Sequence, residues 1–251
     1  VINLLGTSGD GSIYGNIAIN PDDVINVEDG TTYFDGIINP EVLALTAVPG
    51  SITAADLDSG LFGEGALNIQ AGGNLILADP QVTGDPTMYD GPAYAFVETF
   101  DVAPDGTITF ELQPETAGAQ TPGDYPQVFA DVATLEGTLV AAITPPGGLF
   151  EDAYTWENVI DAETRNGGFD GARCVIDGIA AGSLFLSLDC IEDAEANIDL
   201  AFERTAFDDI VGLTENAQSV SEGLECIYDP SLTGGIADLL SDLFLVTDVA
   251  D

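Results

Sequence analysis

No histidine and no lysine occur in the 251 residues of this chain, and its only basic side chains are three arginines. Without histidine, neither a Ser-His-Asp triad nor a Cys-His pair can be built. The GxSxG elbow, the Walker phosphate loop and the dinucleotide fingerprint are absent as well. Acidic pairs of the glycosidase type remain an alternative, although so acidic a chain offers such pairs by chance. We therefore predict that the chain is not an enzyme and has no catalytic residues.

The scarcity of positive charge also excludes classes of partner. Nucleic-acid binding neutralises phosphates with many lysines and arginines, which three arginines cannot supply. Anionic membrane surfaces are excluded for the same reason. No run of 18 or more apolar residues is present, so the sequence predicts no membrane-spanning helix in this fragment.

Negative charge is what the chain has in excess. Its 44 carboxylates give a formal net charge of −41, and their mutual repulsion opposes folding unless salt or bound cations screen it. Hydrophobic residues nevertheless make up 45% of the chain, which is ample for a core. The sequence therefore predicts a folded protein that works in saline or divalent-rich surroundings.

Some of the carboxylates lie in turns beside glycine and asparagine, where their oxygens suit a hard cation such as calcium. None of these turns has the spacing of an EF-hand or of a nonapeptide calcium repeat, and a solvated acidic face is the alternative. No other cofactor is expected. The calcium candidates are Asp10, Asp22, Asp23, Asp56 and Asp58.

Three cysteines form an odd set. If the protein is extracellular, a disulfide between Cys174 and Cys190 could close a short loop between two apolar strands, and Cys226 would then have no partner in the chain. Three buried thiols are the alternative, because a free cysteine behaves as a small hydrophobic residue. Zinc is not expected without histidine or a CxxC pair.

The order of patterns along the chain predicts a mainly β fold in three parts. Residues 1–91 contain short apolar stretches broken by turn residues, and "INPD" at 19–22 recurs as "INPE" at 38–41, which suits 19-residue coils of a parallel β-solenoid. In 92–204, turns at Asp105-Gly106 and Glu136-Gly137 predict a hairpin-rich capping region. Residues 205–251 have helical spacing, with Thr214 as a helix N-cap.

Several longer phrases from about Leu75 onward carry a further signal. In order they are "NLILADPQVTGDPTMYDGPAYAFVETF", "DGTITFELQPE", "YPQVFADVATLEGTLVA", "GLFEDAYTWENVIDA" and "NIDLAFERTAFDDIVGLTEN". Together they resemble the C-terminal passenger region of Gram-negative autotransporters, which precedes an outer-membrane barrel. The resemblance implies a right-handed parallel β-helix, an autochaperone-like cap, a helical linker and a place outside the cell or on its surface. We expect a passenger segment without its barrel.

The three arginines are expected at points where strands converge. Arg165 and Arg173 flank a glycine-rich turn in the predicted cap, and Arg204 ends the last predicted strand. Arginine forms two-pronged hydrogen bonds with carboxylates, which suits partly buried ion pairs. We therefore assign all three to structural charge pairing, with an anion-binding site as the alternative.

The functional prediction is an extracellular structural or adhesive protein whose partner is itself, because open ends of a solenoid expose unpaired strand edges. A surface fibre or filament would pair such edges. Two alternatives remain open. One is a capsid or surface-layer protein of a halophile, and the other is the folding cap of a secreted enzyme whose catalytic part lies upstream.

Overall fold

The computed structural model describes residues 1–5, 11–39, 62–79, 91–145, 148–179, 183–193 and 195–247. These residues are mainly β, as predicted, with fifteen strands and two α-helices, and none of their helices is long and apolar enough to cross a membrane. The strands are β1 Ile2–Leu5, β2 Gly11–Tyr14, β3 Val24–Asp35, β4 Ile37–Ile38, β5 Ala66–Ile69, β6 Gly73–Leu77, β7 Tyr94–Val102, β8 Thr107–Leu112, β9 Gly118–Ala119, β10 Gln127–Leu135, β11 Thr138–Ile143, β12 Ala153–Gly167, β13 Cys174–Ile176, β14 Leu186–Glu192 and β15 Ile198–Arg204. The helices are α1 Glu215–Ile227 and α2 Gly235–Leu243.

Two ladders of parallel strands make up most of the fold. Ladder A contains β1, the first half of β3, β5, β7, β10 and β12 in that order. Ladder B contains β2, the second half of β3, β6, β8, β11 and β13. Each successive pair of strands therefore adds one layer to both ladders, and the long strand β3 belongs to both.

The C-terminal end of the ladders is built differently. Strand β15 pairs with β12 in the antiparallel sense and β14 pairs antiparallel with β15. A 3₁₀ turn at Phe207–Asp209 then leads to α1, where the Thr214 side chain accepts a hydrogen bond from the backbone N–H of Ala217. The predicted N-cap at Thr214 is confirmed. We call the region from β14 to α2 the C-terminal cap.

The predicted hairpins around Asp105-Gly106 and Glu136-Gly137 are wrong. Strand β7 pairs with β5 and β10, whereas β8 pairs with β6 and β11. The turns send the chain from one ladder to the other, and no hydrogen-bonded ladder joins the two strands that flank a turn. Alternating apolar residues look the same in a hairpin and in such an arch, because both bury one face of each strand. The division into 1–91, 92–204 and 205–251 stays a prediction, although the parallel ladders continue across residue 91.

The prediction that successive layers repeat every 19 residues is also wrong. Ile25 pairs with Leu67 and Leu67 with Phe100, so neighbouring strands are separated by more residues and by unequal numbers. The second "INP" motif has another role. Asn39 is buried, its Nδ2 donates to the carbonyls of Glu64 and Phe96 at 2.8 Å, and its Oδ1 accepts from Ile19 N–H at 2.8 Å.

Side chains of the same chemical type stack in columns that run perpendicular to the strands. In ladder A, Ile25, Leu67 and Phe100 stack in register and are at most 1% exposed. On the opposite face of the same strands, Asn26 Nδ2 donates to Asn3 Oδ1 at 2.9 Å and Asn68 Nδ2 donates to Asn26 Oδ1 at 3.2 Å. The register thus places apolar residues on apolar residues inside and amides on amides outside.

Glycines occupy the turns between the two ladders because successive backbones approach closely there. A Cβ atom on Gly137 would lie 2.3 Å from the carbonyl oxygen of Gly106, and one on Gly73 would lie 2.3 Å from that of Val27. Real Cβ atoms do not approach a carbonyl oxygen so closely, so these sites accept only glycine without movement of the stack.

The substitution Gly137→Ala tests this close approach. We expect it to lower the free energy of unfolding by about 1–3 kcal/mol, because the added methyl must displace backbone of the preceding layer. The matched variant is Gly171→Ala, where an added Cβ meets no atom within 4 Å, and it should change stability by no more than about 0.5 kcal/mol. Urea unfolding of both variants in the same buffer would measure the difference. Equal stabilities would contradict the packing described here.

Candidate functional site

Arg204 is the central residue of the C-terminal cap. It ends β15, and its side chain is only 3% exposed. Its Nη2 lies 2.7 Å from Asp152 Oδ1 and 2.8 Å from Glu225 Oε1, and its Nη1 donates to Glu225 Oε2 at 3.0 Å. Both terminal nitrogens engage Glu225 in the two-pronged arrangement that arginine forms with a carboxylate. The cation is therefore paired with the residue preceding β12 and with helix α1.

Aromatic rings complete the surroundings of this ion pair. Arg204 Cζ lies 4.1 Å from the centre of the Tyr228 ring, within the range of a cation–π contact. The Tyr228 hydroxyl donates to the carbonyl of Phe150, and Glu225 Oε2 also accepts from the backbone N–H of Phe207 at 2.9 Å. Since Glu225 lies in the last turn of α1 and Tyr228 directly follows it, these contacts attach that end of the helix to the sheet.

The pKa values in the cluster follow from this pairing. Hydrogen bonds from Arg204 hold the pKa of Glu225 below its ordinary value of 4.5. Burial by itself would lower the pKa of Arg204, but hydrogen bonds to Glu225 and Asp152 outweigh it and raise the pKa. Burial raises the pKa of Tyr228, which stays neutral at neutral pH. The pair of Arg204 and Glu225 therefore stays charged at neutral pH.

Helix α2 covers the same region with apolar side chains. Ala237, Leu240 and Phe244 are buried, and the Phe244 ring stacks on that of Phe207 with centroids 5.9 Å apart. Such separations are typical of stabilising aromatic pairs. The aromatic rings that contact one another where the cap meets β12 are Phe150, Tyr154, Trp156, Phe185, Phe202, Phe207, Tyr228 and Phe244.

The other two arginines lie at the last turn between the ladders. Arg165 Nη1 is 2.5 Å from Glu192 Oε2 and also donates to the carbonyl of Gly167 at 3.0 Å. Arg173 Nε is 3.5 Å from Asp170 Oδ1, and Arg173 Nη1 donates to the carbonyl of Glu136 at 2.8 Å. All three arginines therefore have carboxylate partners, as the structural assignment requires, but Arg204 lies in a cluster separate from the other two.

A disulfide ties the end of ladder B to the cap. Cys174 in β13 is bonded to Cys190 in β14, with their Cα atoms 5.9 Å apart, whereas Cys226 on α1 is a free, exposed thiol. The odd cysteine of the sequence is thus Cys226. The bond joins the last parallel strand of ladder B to the antiparallel part of the sheet.

A cavity of about 200 Å³ lies beside Tyr154, between the loop after β8, the start of β12 and the loop after α1. Its lining includes the carboxylates of Glu115 and Glu151 and the apolar side chains of Leu149 and Pro230. The Tyr154 hydroxyl accepts from the backbone N–H of Glu151 at 2.7 Å, and burial raises the pKa of Tyr154. The phenol and the two carboxylates give the cavity a polar wall that can form hydrogen bonds.

The calcium candidates are not brought together within the described residues. Asp22 is exposed, while Asp23 accepts from the backbone and side-chain nitrogens of Asn20, bonds that lower its pKa. Asp10, Asp56 and Asp58 lie outside the described residues. Among the residues that the structure describes, no group of three or more acidic or cysteine side chains is arranged to hold a metal ion.

Sequence reasoning missed a carboxylate on ladder B whose surroundings only the fold creates. Glu111 Oε2 accepts from the Tyr33 hydroxyl at 3.4 Å and from the backbone N–H of Asp79 at 3.3 Å. Burial raises the pKa of Glu111, and the nearby charge of Asp35 adds to the shift. These four residues come from three different layers, so no local sequence motif could identify them.

Neither a family model, nor a curated protein, nor a solved structure matches this chain. The interpretation of the cap therefore depends on its geometry. Arg204, the disulfide to Cys190 and the aromatic rings hold the cap to the last strands of the ladders, and Arg165 and Arg173 pair with carboxylates at the adjoining turn.

Replacing Arg204 with alanine should be far more destabilising than replacing Arg173. Arg204→Ala leaves an unfilled space beside the partly buried Glu225, whereas Asp152 is largely exposed, so the loss should lie at the lower end of that for a broken buried pair, about 3 kcal/mol. Arg173→Ala removes the same formal charge from an exposed pair and should cost about 1 kcal/mol or less. Chemical unfolding followed by circular dichroism measures both variants. A similar loss in the two would show that net charge, and not the buried pairing, is what Arg204 supplies.

The contribution of Glu225 to stability should depend on pH. Because its pKa is lower in the folded than in the unfolded chain, the stabilisation is complete above about pH 4.5 and disappears as the pH falls through the folded pKa. Acid also relieves repulsion elsewhere, so the relevant quantity is the stability difference between the wild type and Glu225→Gln. This difference should shrink below pH 4.5. For Glu222→Gln on the exposed face of α1, we expect a small difference at every pH.

Proposed function

We propose that this chain is a structural or adhesive segment of an extracellular passenger domain, and that its two parallel ladders form a β-solenoid. The observation that carries the proposal is the in-register stacking of successive strands, with apolar columns such as Ile25, Leu67 and Phe100 buried between them. A solenoid of this kind provides an extended, rigid surface by backbone pairing alone. Such a protein needs no reactive side chain.

The order of its parts supports the passenger assignment. Parallel layers come first, an antiparallel closure follows with β15 and β14, and helices α1 and α2 come last. This is the order that the resemblance to autotransporter passengers implies. The bond between Cys174 and Cys190 supports an oxidising location, because disulfides persist outside the reducing cytosol. The order of the parts gives no comparable support to the two alternatives, a capsid or surface-layer protein of a halophile and the folding cap of a secreted enzyme.

The fibre predicted from the sequence needs two complementary ends. The cap occupies one end of the ladders, whereas at the other end β1 and β2 each pair, among the described residues, with β3 alone. Self-association of the chain stays part of the proposal, because a strand edge that is left unpaired can pair with another copy.

Surface display tests the passenger proposal. The chain, placed between a secretion signal and an outer-membrane barrel in a Gram-negative host, should appear on the cell surface as a fragment that resists added protease. The matched control is the same fusion with Arg204→Ala, in which the closure is weakened and protease should degrade the displayed chain. Retention of the wild-type chain inside the envelope, or equal degradation of both chains, would contradict the proposal.

A further inference from the structure

Two cavities adjoin each other where the loop after β8 meets strand β12. The outer cavity is the one of about 200 Å³ beside Tyr154. The inner cavity has a volume of about 30 Å³ and is lined by Trp156 and by polar side chains that include Asp124. Glu115 and Thr116 line both cavities and form the border between them.

Trp156 gives the inner cavity a buried hydrogen-bond donor. The side chain is 0% exposed, and its Nε1 has no acceptor among the residues that the structure describes. Nε1 is the only polar atom of an indole, and a buried N–H without a partner costs free energy. An acceptor on a ligand in the inner cavity would satisfy this donor. The space is sufficient, since about 10–15 Å³ holds one water-sized group.

The walls of the inner cavity restrict the ligand to a neutral group that both donates and accepts. A cation offers no acceptor to the Trp156 N–H. An anion would lie against Glu115 and Asp124 in a chain with a formal net charge of −41. An apolar group would leave the indole donor and the carboxylates without partners. A hydroxyl group meets both requirements, because it accepts from the indole and donates to a carboxylate.

The outer cavity has walls that suit the rest of a hydroxylated molecule. Leu149 and Pro230 provide apolar surface for C–H groups, whereas Glu115 and Glu151 accept hydrogen bonds from hydroxyls. Ser231 adds a hydroxyl that can donate or accept. A ring that carries several hydroxyls therefore matches this cavity better than a purely apolar one.

From these observations we infer that the two cavities together bind a neutral hexose residue, with its ring in the outer cavity and its hydroxymethyl group in the inner one. Tyr154 and Trp156, which line the outer and the inner cavity, have ring centroids 5.7 Å apart, a separation that one sugar residue spans. The inference deepens the adhesive part of the proposed function, on which it rests, by naming a glycan as the target.

The loop that forms the border is fixed by hydrogen bonds of its own. Gln120 is buried, and its Oε1 accepts from the backbone N–H of Glu115 at 2.9 Å. Its Nε2 donates to the carbonyls of Thr116 and Gly118 at 2.6 and 2.9 Å. The backbone N–H of Gln120 donates to the carbonyl of Thr155 at 2.7 Å, which ties the loop to β12. A wall that is already ordered lowers the entropic cost of binding.

The fluorescence of Trp156 tests the inference, because it is the only tryptophan of the chain. Titration of the whole protein with methyl β-D-glucopyranoside or methyl β-D-galactopyranoside should change the emission and reach saturation for at least one of the two. The matching pentosides, methyl β-D-xylopyranoside and methyl α-L-arabinopyranoside, lack the hydroxymethyl group. They should bind about tenfold more weakly, since they leave the indole donor and a carboxylate unpaired. The matching uronides carry a carboxylate instead and should not bind.

Two variants locate the binding in the cavities. Glu115 is exposed, so Glu115→Ala removes an acceptor from both cavities without disturbing the core, and it should weaken hexoside binding about tenfold or more. The matched control Glu222→Ala removes the same charge from the exposed face of α1 and should bind like the wild type. Trp156→Phe keeps a ring beside Tyr154 but has no N–H. Calorimetry should show that this variant no longer prefers hexosides to pentosides.

Absence of saturable binding by both hexosides would overturn the inference, and this is the result expected if the inner cavity takes only water. Equal affinity for hexosides and pentosides, or wild-type affinity of Glu115→Ala, would overturn it as well. So would a Trp156→Phe variant that keeps the preference for hexosides. Surface display in protease-resistant form without hexoside binding would refute only the sugar site. Failure of display with intact hexoside binding would refute only the passenger role.

Discussion

In-register hydrogen bonding between successive parallel strands is the constraint from which the other features follow. Because each strand lies in register with the strands on either side of it, each side chain must be compatible with the side chains beside it in both neighbouring strands. Apolar residues therefore form continuous columns, as with Leu67 and Phe100, and amides form a ladder on the outer face, as with Asn26 and Asn68. At the turns between the ladders, the backbones of successive layers lie so close together that only glycine fits.

The few positive charges are concentrated where this repetition stops. All three arginines lie in the last layer or in the cap, and each pairs with at least one carboxylate. Along the parallel layers most carboxylates lie where water and ions screen them, although a few, such as Asp35 and Asp79, are buried. At the closure, strands, loops and helices from distant parts of the sequence meet, and Arg204 holds two carboxylates that would otherwise repel each other. The Arg204 guanidinium thus allows these acidic segments to meet, although the large negative charge of the chain opposes their approach.

The sequence predicts the class of elements better than it predicts their partners. Strands, helices and the Thr214 cap can be read from local periodicity, because burial of one face and the hydrogen bonds of a helix end are local properties. The pairing around Asp105 could not be read in this way, since an arch and a hairpin have the same alternation. One usable signal was overlooked. Asparagine between two apolar residues recurs in "INLL", "INVE" and "LNI", and it marks the amide ladder. The surroundings of Glu111 depend on three layers and have no local signature.

The glycine turns divide the perimeter of each layer into two parts with opposite tolerance for change. At the turns, chain segments between ladders A and B are short, as from Leu135 to Thr138, and backbone contact fixes their length. On the return path, the chain covers a longer course before the next layer, as from Leu112 to Gln127. Insertions accumulated during evolution should therefore appear almost entirely on the return side. That side can diversify in length and sequence, and can accept grafted loops, while the paired strands keep their register.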